Sequence, residues 1–148
     1  MRLVEQLSLA YRQIRAAARH SAAARTARPL QHLRALKAIR EGLHTQGELA
    51  ERLFIDPPAV SRLVDRLVAD GLIERRAGDD RRCVKLVLCK PAAQAIAIGD
   101  QVVDDVEQHL RRHLTADEAR TLRALLTKLI AGLAADAAAV APGRAAPR

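Results

Sequence analysis

Aromatic residues are almost missing from this 148-residue chain: Tyr11 and Phe54 are the only two, and there is no tryptophan. That scarcity argues against recognition of RNA or single strands, which relies on aromatic stacking platforms. It argues equally against an aromatic-lined cofactor pocket. Cysteine is scarce as well. Cys83 and Cys89 lie six apart in a segment that reads as one strand. Six strand residues span roughly 20 Å, whereas bridged Cα atoms lie within about 7 Å. They therefore cannot bridge each other, and a reduced, cytoplasmic protein is expected. No apolar run approaches the length of a membrane span. Early charges (Arg2, Glu5) and the lack of an apolar leader predict no signal peptide. No Ser/His/Asp arrangement, glycine-rich phosphate loop or dense acid pair stands out, so neither an enzyme nor a cofactor is expected.

What the chain does hold is positive charge and helix formers. The net charge is +8, with 49% hydrophobic residues dominated by Ala and Leu. Such a balance points to a polyanionic partner. The excess is N-terminal. Residues 1–44 carry nine Lys/Arg against two acids, while residues 45–90 carry nine against eight.

Apolar periodicity predicts a helix over 3–19, with Leu3, Leu7, Ala10, Tyr11 and Ile14 on one face, then a loop over 20–28. A second helix over 30–42 carries Leu33, Leu36 and Ile39 and ends at Gly42. Thr45 and Glu48 have capping-box spacing and open a third helix, with Leu49 and Leu53 inward. Asp56 is a good N-cap with Pro57 at the first helical position. Val60, Leu63, Val64, Leu67 and Val68 follow the helical rule without a miss, and Gly71 stops that fourth helix. The period then changes to two. Residues 72–76 and 83–89 flank the turn AGDDR and predict a β-hairpin, with Val84, Leu86 and Leu88 on one side. A long helix over about 92–113 follows. A second capping box, Thr115 and Glu118, opens a last helix to about 135. The alanine-rich stretch 137–148 is expected to be a disordered tail.

The two short helices with a brief break at Phe54–Asp56 suit a helix-turn-helix, whose second helix lies in the DNA major groove. Its apolar row must face the core, which leaves Pro58, Ala59, Ser61, Arg62, Asp65 and Arg66 outside. Arg62 is the candidate base contact, because arginine pairs bidentately with guanine. Ser61 and Arg66 are candidate phosphate contacts. The hairpin tip Asp79-Asp80-Arg81-Arg82 and the strand arginine Arg75 complete the expected DNA-binding set. A basic turn can reach the minor groove, whose negative potential attracts arginine. Asp79 or Asp80 is expected to pair with an arginine and hold it extended.

Residues 45–88 (TQGELAERLFIDPPAVSRLVDRLVADGLIERRAGDDRRCVKLVL) resemble the MarR family of bacterial transcription regulators. The most specific stretches are SRLVDRLVADGLIERR (61–76) and DDRR (79–82), and LTADEARTLRALLTKL (114–129) resembles the family's last helix. The resemblance implies a mainly α winged helix-turn-helix fold with one small hairpin wing. It implies four regions: 1–28 for dimerisation, 29–90 for DNA binding, 91–136 for dimerisation, and the tail 137–148. It implies a cytoplasmic, nucleoid-associated homodimer on a palindromic operator, with Arg81 as the wing arginine in the minor groove. A small anionic or phenolic effector is implied between the dimerisation helices and the lobe, with Tyr11, Arg15, His32 and Leu36 as candidate walls and Arg34 as a further cation. The expected function is a ligand-responsive repressor. The second reading is a constitutive architectural or anti-silencing DNA binder without an effector.

Two side questions stay with the residues. Nearby Arg81, Arg82 and Lys85 would favour a thiolate at Cys83, against two inert strand cysteines. His109 and His113 have i, i+4 metal spacing, and zinc-responsive members of the family use histidines in that helix. Without a neighbouring cysteine no bound metal is expected. The chain departs from the family at Pro57, Pro58 and Ala59, where Ser or Thr is common, and at Leu88–Ala92, where the family has Leu-Thr followed by Gly.

Overall fold

The computed structural model describes residues 1–80 and 82–140. They form α1 (Leu3–Ala23), α2 (Leu30–Arg40), α3 (Gln46–Leu53), α4 (Pro57–Ala69), β1 (Ile73–Ala77), β2 (Val84–Leu88), α5 (Ala92–Arg111) and α6 (Ala116–Val140). By internal contacts the chain divides into two compact units, Met1–Glu107 and Gln108–Arg148.

In the first unit, local chemistry sets most boundaries. Thr45 Oγ1 accepts the Glu48 N–H, and the Glu48 carboxylate accepts the Thr45 N–H at 2.9 Å, which closes the expected capping box of α3. The His44 N–H, which donates to the same carboxylate at 2.8 Å, and then the Thr45 N–H hold the Glu48 carboxyl below its ordinary pKa. Gly42 (φ +106) and Gly71 (φ +71) take the left-handed turns that end α2 and α4. After α4 the Leu72 N–H reaches back to the Leu67 carbonyl at 3.0 Å.

The core forms where α2, α3, α4 and the hairpin present their apolar rows. Leu33, Leu36, Leu49, Leu53, Val60, Val64, Leu67, Ile73 and Leu86 are its largest fully buried side chains. Each such side chain contributes about 1.5–3 kcal/mol of transfer free energy. The hairpin is antiparallel, with Ile73 opposite Leu88, Arg75 opposite Leu86 and Ala77 opposite Val84. Its open edge is covered where the Leu86 N–H donates to the His44 carbonyl at 2.7 Å. Of the alternating set, Leu86 is buried and Leu88 half-buried, but Val84, next to the tip, is exposed. Cys83 and Cys89 are both free thiols that bracket β2.

Four helix ends differ from expectation, and the first is α2, which closes at Arg40, two residues before the expected 42. α1 runs to Ala23 rather than residue 19, because the alanine-rich stretch holds no breaker. α5 stops at Arg111, two residues early. α6 continues to Val140, so residues 137–140 of the expected disordered tail are helical; alanine again sustains the helix. Residues 141–148 of that tail lie outside the described residues.

The second unit is dominated by α6. Its N-terminus carries the expected box: the Thr115 N–H donates to Glu118 at 2.8 Å, and Glu118 N–H returns to Thr115 Oγ1 at 3.3 Å. No residue of α6 is buried. Among the described residues, no helix is long and apolar enough to cross a membrane.

Candidate nucleic-acid interface

The α3–α4 unit is built on a tight turn. Phe54 adopts the left-handed conformation (φ 55, ψ 47) that ends α3, and Asp56 resumes extended backbone as the N-cap of α4. Asp56 Oδ1 accepts the Ala59 N–H at 2.7 Å. From there Val60, Leu63, Val64 and Leu67 point into the core, with exposures of 7% or less. The opposite face carries Pro58, Arg62, Asp65 and Arg66 exposed, with Ala59 and Ser61 half-buried.

The arginines on and beside this face are in different electrostatic states. Arg62 makes no side-chain hydrogen bond or ion pair among the described residues. Arg66 lies 3.2 Å from Asp70, and Asp70 also accepts from Arg28 at 2.7 Å. The Arg28 hydrogen bond holds the Asp70 carboxyl below its ordinary value. Arg75, from the wing stem, is clamped to Asp65 of α4 at 2.5 Å and lies 3.5 Å from Gln46 Oε1 at the start of α3. Arg75 thus ties the hairpin to the helix-turn-helix. Asp65 and Asp70 were not singled out for these roles from sequence. The Asp65–Arg75 pair spans ten residues and two element types, so no periodic pattern marks it.

At the hairpin tip, the Gly78 N–H donates to the Cys83 carbonyl at 2.8 Å, and the Cys83 N–H to the Asp80 carbonyl at 2.9 Å. The Asp80 carboxylate accepts the Arg82 backbone N–H at 3.2 Å. Asp80 therefore shapes the turn through the backbone. Among the described residues, neither Asp79 nor Asp80 forms an ion pair with an arginine side chain. Arg81, and any pairing with it, lies outside the described residues. A groove of about 560 Å³ beside the hairpin is lined in part by Arg40, His44, Arg76 and Lys85. Two of its cations are already engaged, Arg40 bidentately by Asp100 at 2.7 Å and Arg76 by Glu74.

Among the described residues, the four candidate effector residues occupy different surroundings. Tyr11 and Arg15 stand together on α1, with an Arg15-to-hydroxyl distance of 3.2 Å, beside a surface groove of about 480 Å³. Arg15 Nε is buried without a partner. Burial, and then the charge of Arg15, push the Arg34 guanidinium below its ordinary pKa. His32 lies instead among Arg28, Asp70 and Arg66; burial first, then Arg28, lowers its pKa, and its Nδ1 is also unpartnered. Leu36 is fully buried in the core. His109 and His113 pack edge to face, 5.3 Å between centroids. No group of three or more metal-binding side chains occurs among the described residues.

Comparison with known proteins places this geometry. The family model described as "MarR family" matches residues 28–82. The multiple antibiotic resistance protein MarR of Escherichia coli K12 is 39% identical over 88 residues, which cover 58% of this chain and 61% of that protein. Its Salmonella typhimurium counterpart is 36% identical over 91 residues, covering 60% and 63%. The match thus spans under two thirds of the length of these curated relatives. Among solved structures, the reduced form of E. coli MarR superposes with a TM-score of 0.70 at 30% identity, covering 87% of this chain and 96% of that one. A mutant E. coli MarR complexed with operator DNA gives 0.72 at 29% identity, covering 86% and 92%.

Proposed function

This chain belongs to the MarR family, and on that premise we propose that it is a dimeric transcriptional regulator that binds a palindromic duplex operator and releases it in response to a small anionic or phenolic effector. The observation that carries the reading is Arg62. It is an exposed guanidinium with no partner among the described residues, on the outward face of a helix whose apolar row is buried. Its freedom suits bidentate contact with guanine in the major groove. Around it, Ser61 and Arg66 serve phosphates, Pro58 and Ala59 lead the helix into the groove, and the wing residues Asp79, Arg81 and Arg82 approach the minor groove. Arg75 acts through its clamp on Asp65 by fixing the wing against α4. The relative solved with operator DNA supports the choice of duplex DNA as partner.

The dimer is supported by apolar surface that a single chain leaves open. Leu122, Leu125, Leu129, Ile130 and Leu133 of α6 are all exposed, as are Leu3, Val4, Leu9 and Ile14 of α1. A second copy covers them and sets the separation of the two reading helices at one helical turn of DNA, about 34–36 Å. An effector favouring another separation would release the operator. Tyr11, Arg15 and Arg34 are the side chains best suited to an anion, since two guanidiniums crowd there.

The test is binding to duplex DNA from upstream of the chain's own gene at two salt concentrations, for wild type, Arg62→Ala and Arg81→Ala. Loss of one bidentate contact, worth about 1–3 kcal/mol, weakens wild-type binding roughly 5- to 150-fold. The weakening is confined to the cognate sequence for Arg62→Ala. Feeble binding by all three proteins, with no preference for that duplex over an unrelated one, overturns the reading. Titration of phenolic and other aromatic carboxylates against the bound operator separates a ligand-responsive repressor from a constitutive binder.

A further inference from the structure

The first turn of α4, residues 57–60, has no free backbone N–H to offer. A helix start normally presents free N–H groups that can hold a phosphate or a base acceptor. Here Pro57 and Pro58 have no N–H at all. The Ala59 N–H is taken by the Asp56 carboxylate at 2.7 Å, and the Val60 N–H by the Asp56 carbonyl at 3.0 Å. The Asp56 charge at this end also repels phosphate. Apart from the capping Asp56, the side chains that precede and open the helix, from Phe54 to Ala59, are apolar. Pro57 and Pro58 are exposed and Ala59 is half-buried. Phe54, two residues ahead of the cap, is 81% exposed.

Phe54 makes this surface hard to read as incidental. Among the described residues it is the only non-glycine residue with a left-handed backbone. Glycine or asparagine fits that conformation with less strain, and an outward-pointing phenyl ring gains nothing from the core in return. A strained residue that presents a large apolar group to solvent is a candidate for contact with a partner.

We propose that Phe54, Pro58 and Ala59 read the C5-methyl groups of thymines, so that each half-site carries thymine beside the base pair contacted by Arg62. The inference rests on the duplex-DNA reading above and names the base chemistry that reading selects. In the major groove, thymine differs from the other bases by displaying a methyl group, and Ala and Phe are side chains suited to it. A helix turn with no free donor cannot satisfy the N7 and O6 acceptors of guanine, and the Phe54, Pro58 and Ala59 side chains offer no acceptor to the amino groups of adenine and cytosine. A methyl group asks for no hydrogen bond.

The experiment uses duplexes enriched from a random-sequence pool by the wild-type, full-length chain. Each thymidine of the enriched half-site is replaced in turn by 2′-deoxyuridine, which keeps every hydrogen-bonding edge and removes only the methyl. Binding is followed by fluorescence anisotropy at one salt concentration. Wild type is expected to lose about fourfold in affinity per methyl it contacts. Phe54→Ser binds the thymine and uracil versions alike at the position it served. Because Phe54 lies outside the core, Phe54→Gly keeps the thermal unfolding midpoint at or above that of wild type while losing the same discrimination. Equal wild-type affinity for thymine and uracil duplexes overturns the inference and leaves DNA reading intact. So does an equal loss by wild type and both variants, which would place the effect in the duplex itself. If the pool yields no enriched sequence, sequence-specific binding itself fails, and this inference fails with it.

Discussion

α4 and α6 are written in the same periodic code and end in opposite situations. Each places Leu, Val or Ile at three- and four-residue intervals. In α4 that row is enclosed, with Val64 and Leu67 at 0% exposure. In α6, 25 residues long, no residue is buried, and Leu125, Ile130 and Leu133 stand 59–65% exposed. An amphipathic helix becomes stable chiefly by burying its apolar face. α4 achieves this within its own chain; α6 requires another surface, which the proposed function assigns to a second copy. Apolar periodicity therefore says that a face will be covered and is silent on what covers it.

The sharpest way to break that contrast is to remove one side chain from each helix. Leu67→Ala is expected to lower unfolding stability by about 2–5 kcal/mol, because it leaves a cavity in a closed core. The urea midpoint falls without a change of oligomeric state. Ile130→Ala should cost roughly 1–2 kcal/mol, and in a different quantity, the association of two chains. Sedimentation equilibrium and the concentration dependence of the melting temperature read it directly. An unfolding midpoint that drops equally at all protein concentrations would place Ile130 in an intramolecular core and erase the difference between the helices.

A smaller effect belongs to the start of α4. Asp56→Ala removes the one side-chain cap of the reading helix and is expected to cost about 1 kcal/mol. Asp56→Asn, which keeps a capping oxygen, should recover most of it. Circular dichroism melts of the three proteins decide this, and an Asn variant as weak as Ala would mean that the carboxylate charge, not the cap geometry, matters.

The smallest effect is on pH. Burial, followed by the charge of Arg28, lowers the His32 pKa from its ordinary 6.5, with Arg66 acting in the same direction and Asp70 opposing. A base with a depressed folded-state pKa takes up its proton more readily in the unfolded chain. Its contribution is therefore intact above 6.5 and is eroded as pH falls below it. The carboxyl of Asp70, lowered by Arg28, adds a loss of the same sign only at more acidic pH, below its ordinary 3.8. Urea midpoints between pH 8 and pH 5.5 should fall for wild type and stay flatter for His32→Gln. Parallel curves would remove His32 from the account.

Much of the winged lobe was legible from the chain because its signals are local. Thr45 with Glu48, Asp56 with Pro57, and Thr115 with Glu118 each satisfy backbone N–H groups within three residues, so their spacing alone announces a helix start. The ends of α1 and α6 were less legible, since alanine runs carry no stop and a helix continues until something ends it. The candidate interface divides the same way. That Arg62 and Arg66 point outward follows from the apolar row between them. That Arg66 is held by Asp70 and Arg75 by Asp65, while Arg62 is left without a partner among the described residues, does not follow from that row.

By itself the sequence determined the order of helices and strands, the faces each would bury, the caps that start three of the helices, and the family whose pattern these make. Those features depend on backbone hydrogen bonding and side-chain spacing over three or four residues. Only the tertiary structure decided which arginines are clamped, that Leu36 is core while His32 sits in a charged network, and that one apolar row is closed and another open. Such outcomes depend on the approach of groups far apart in the chain, such as Arg28 and Asp70, 42 residues apart. A periodic pattern specifies a direction for each side chain, and only the packed fold supplies the atom it meets.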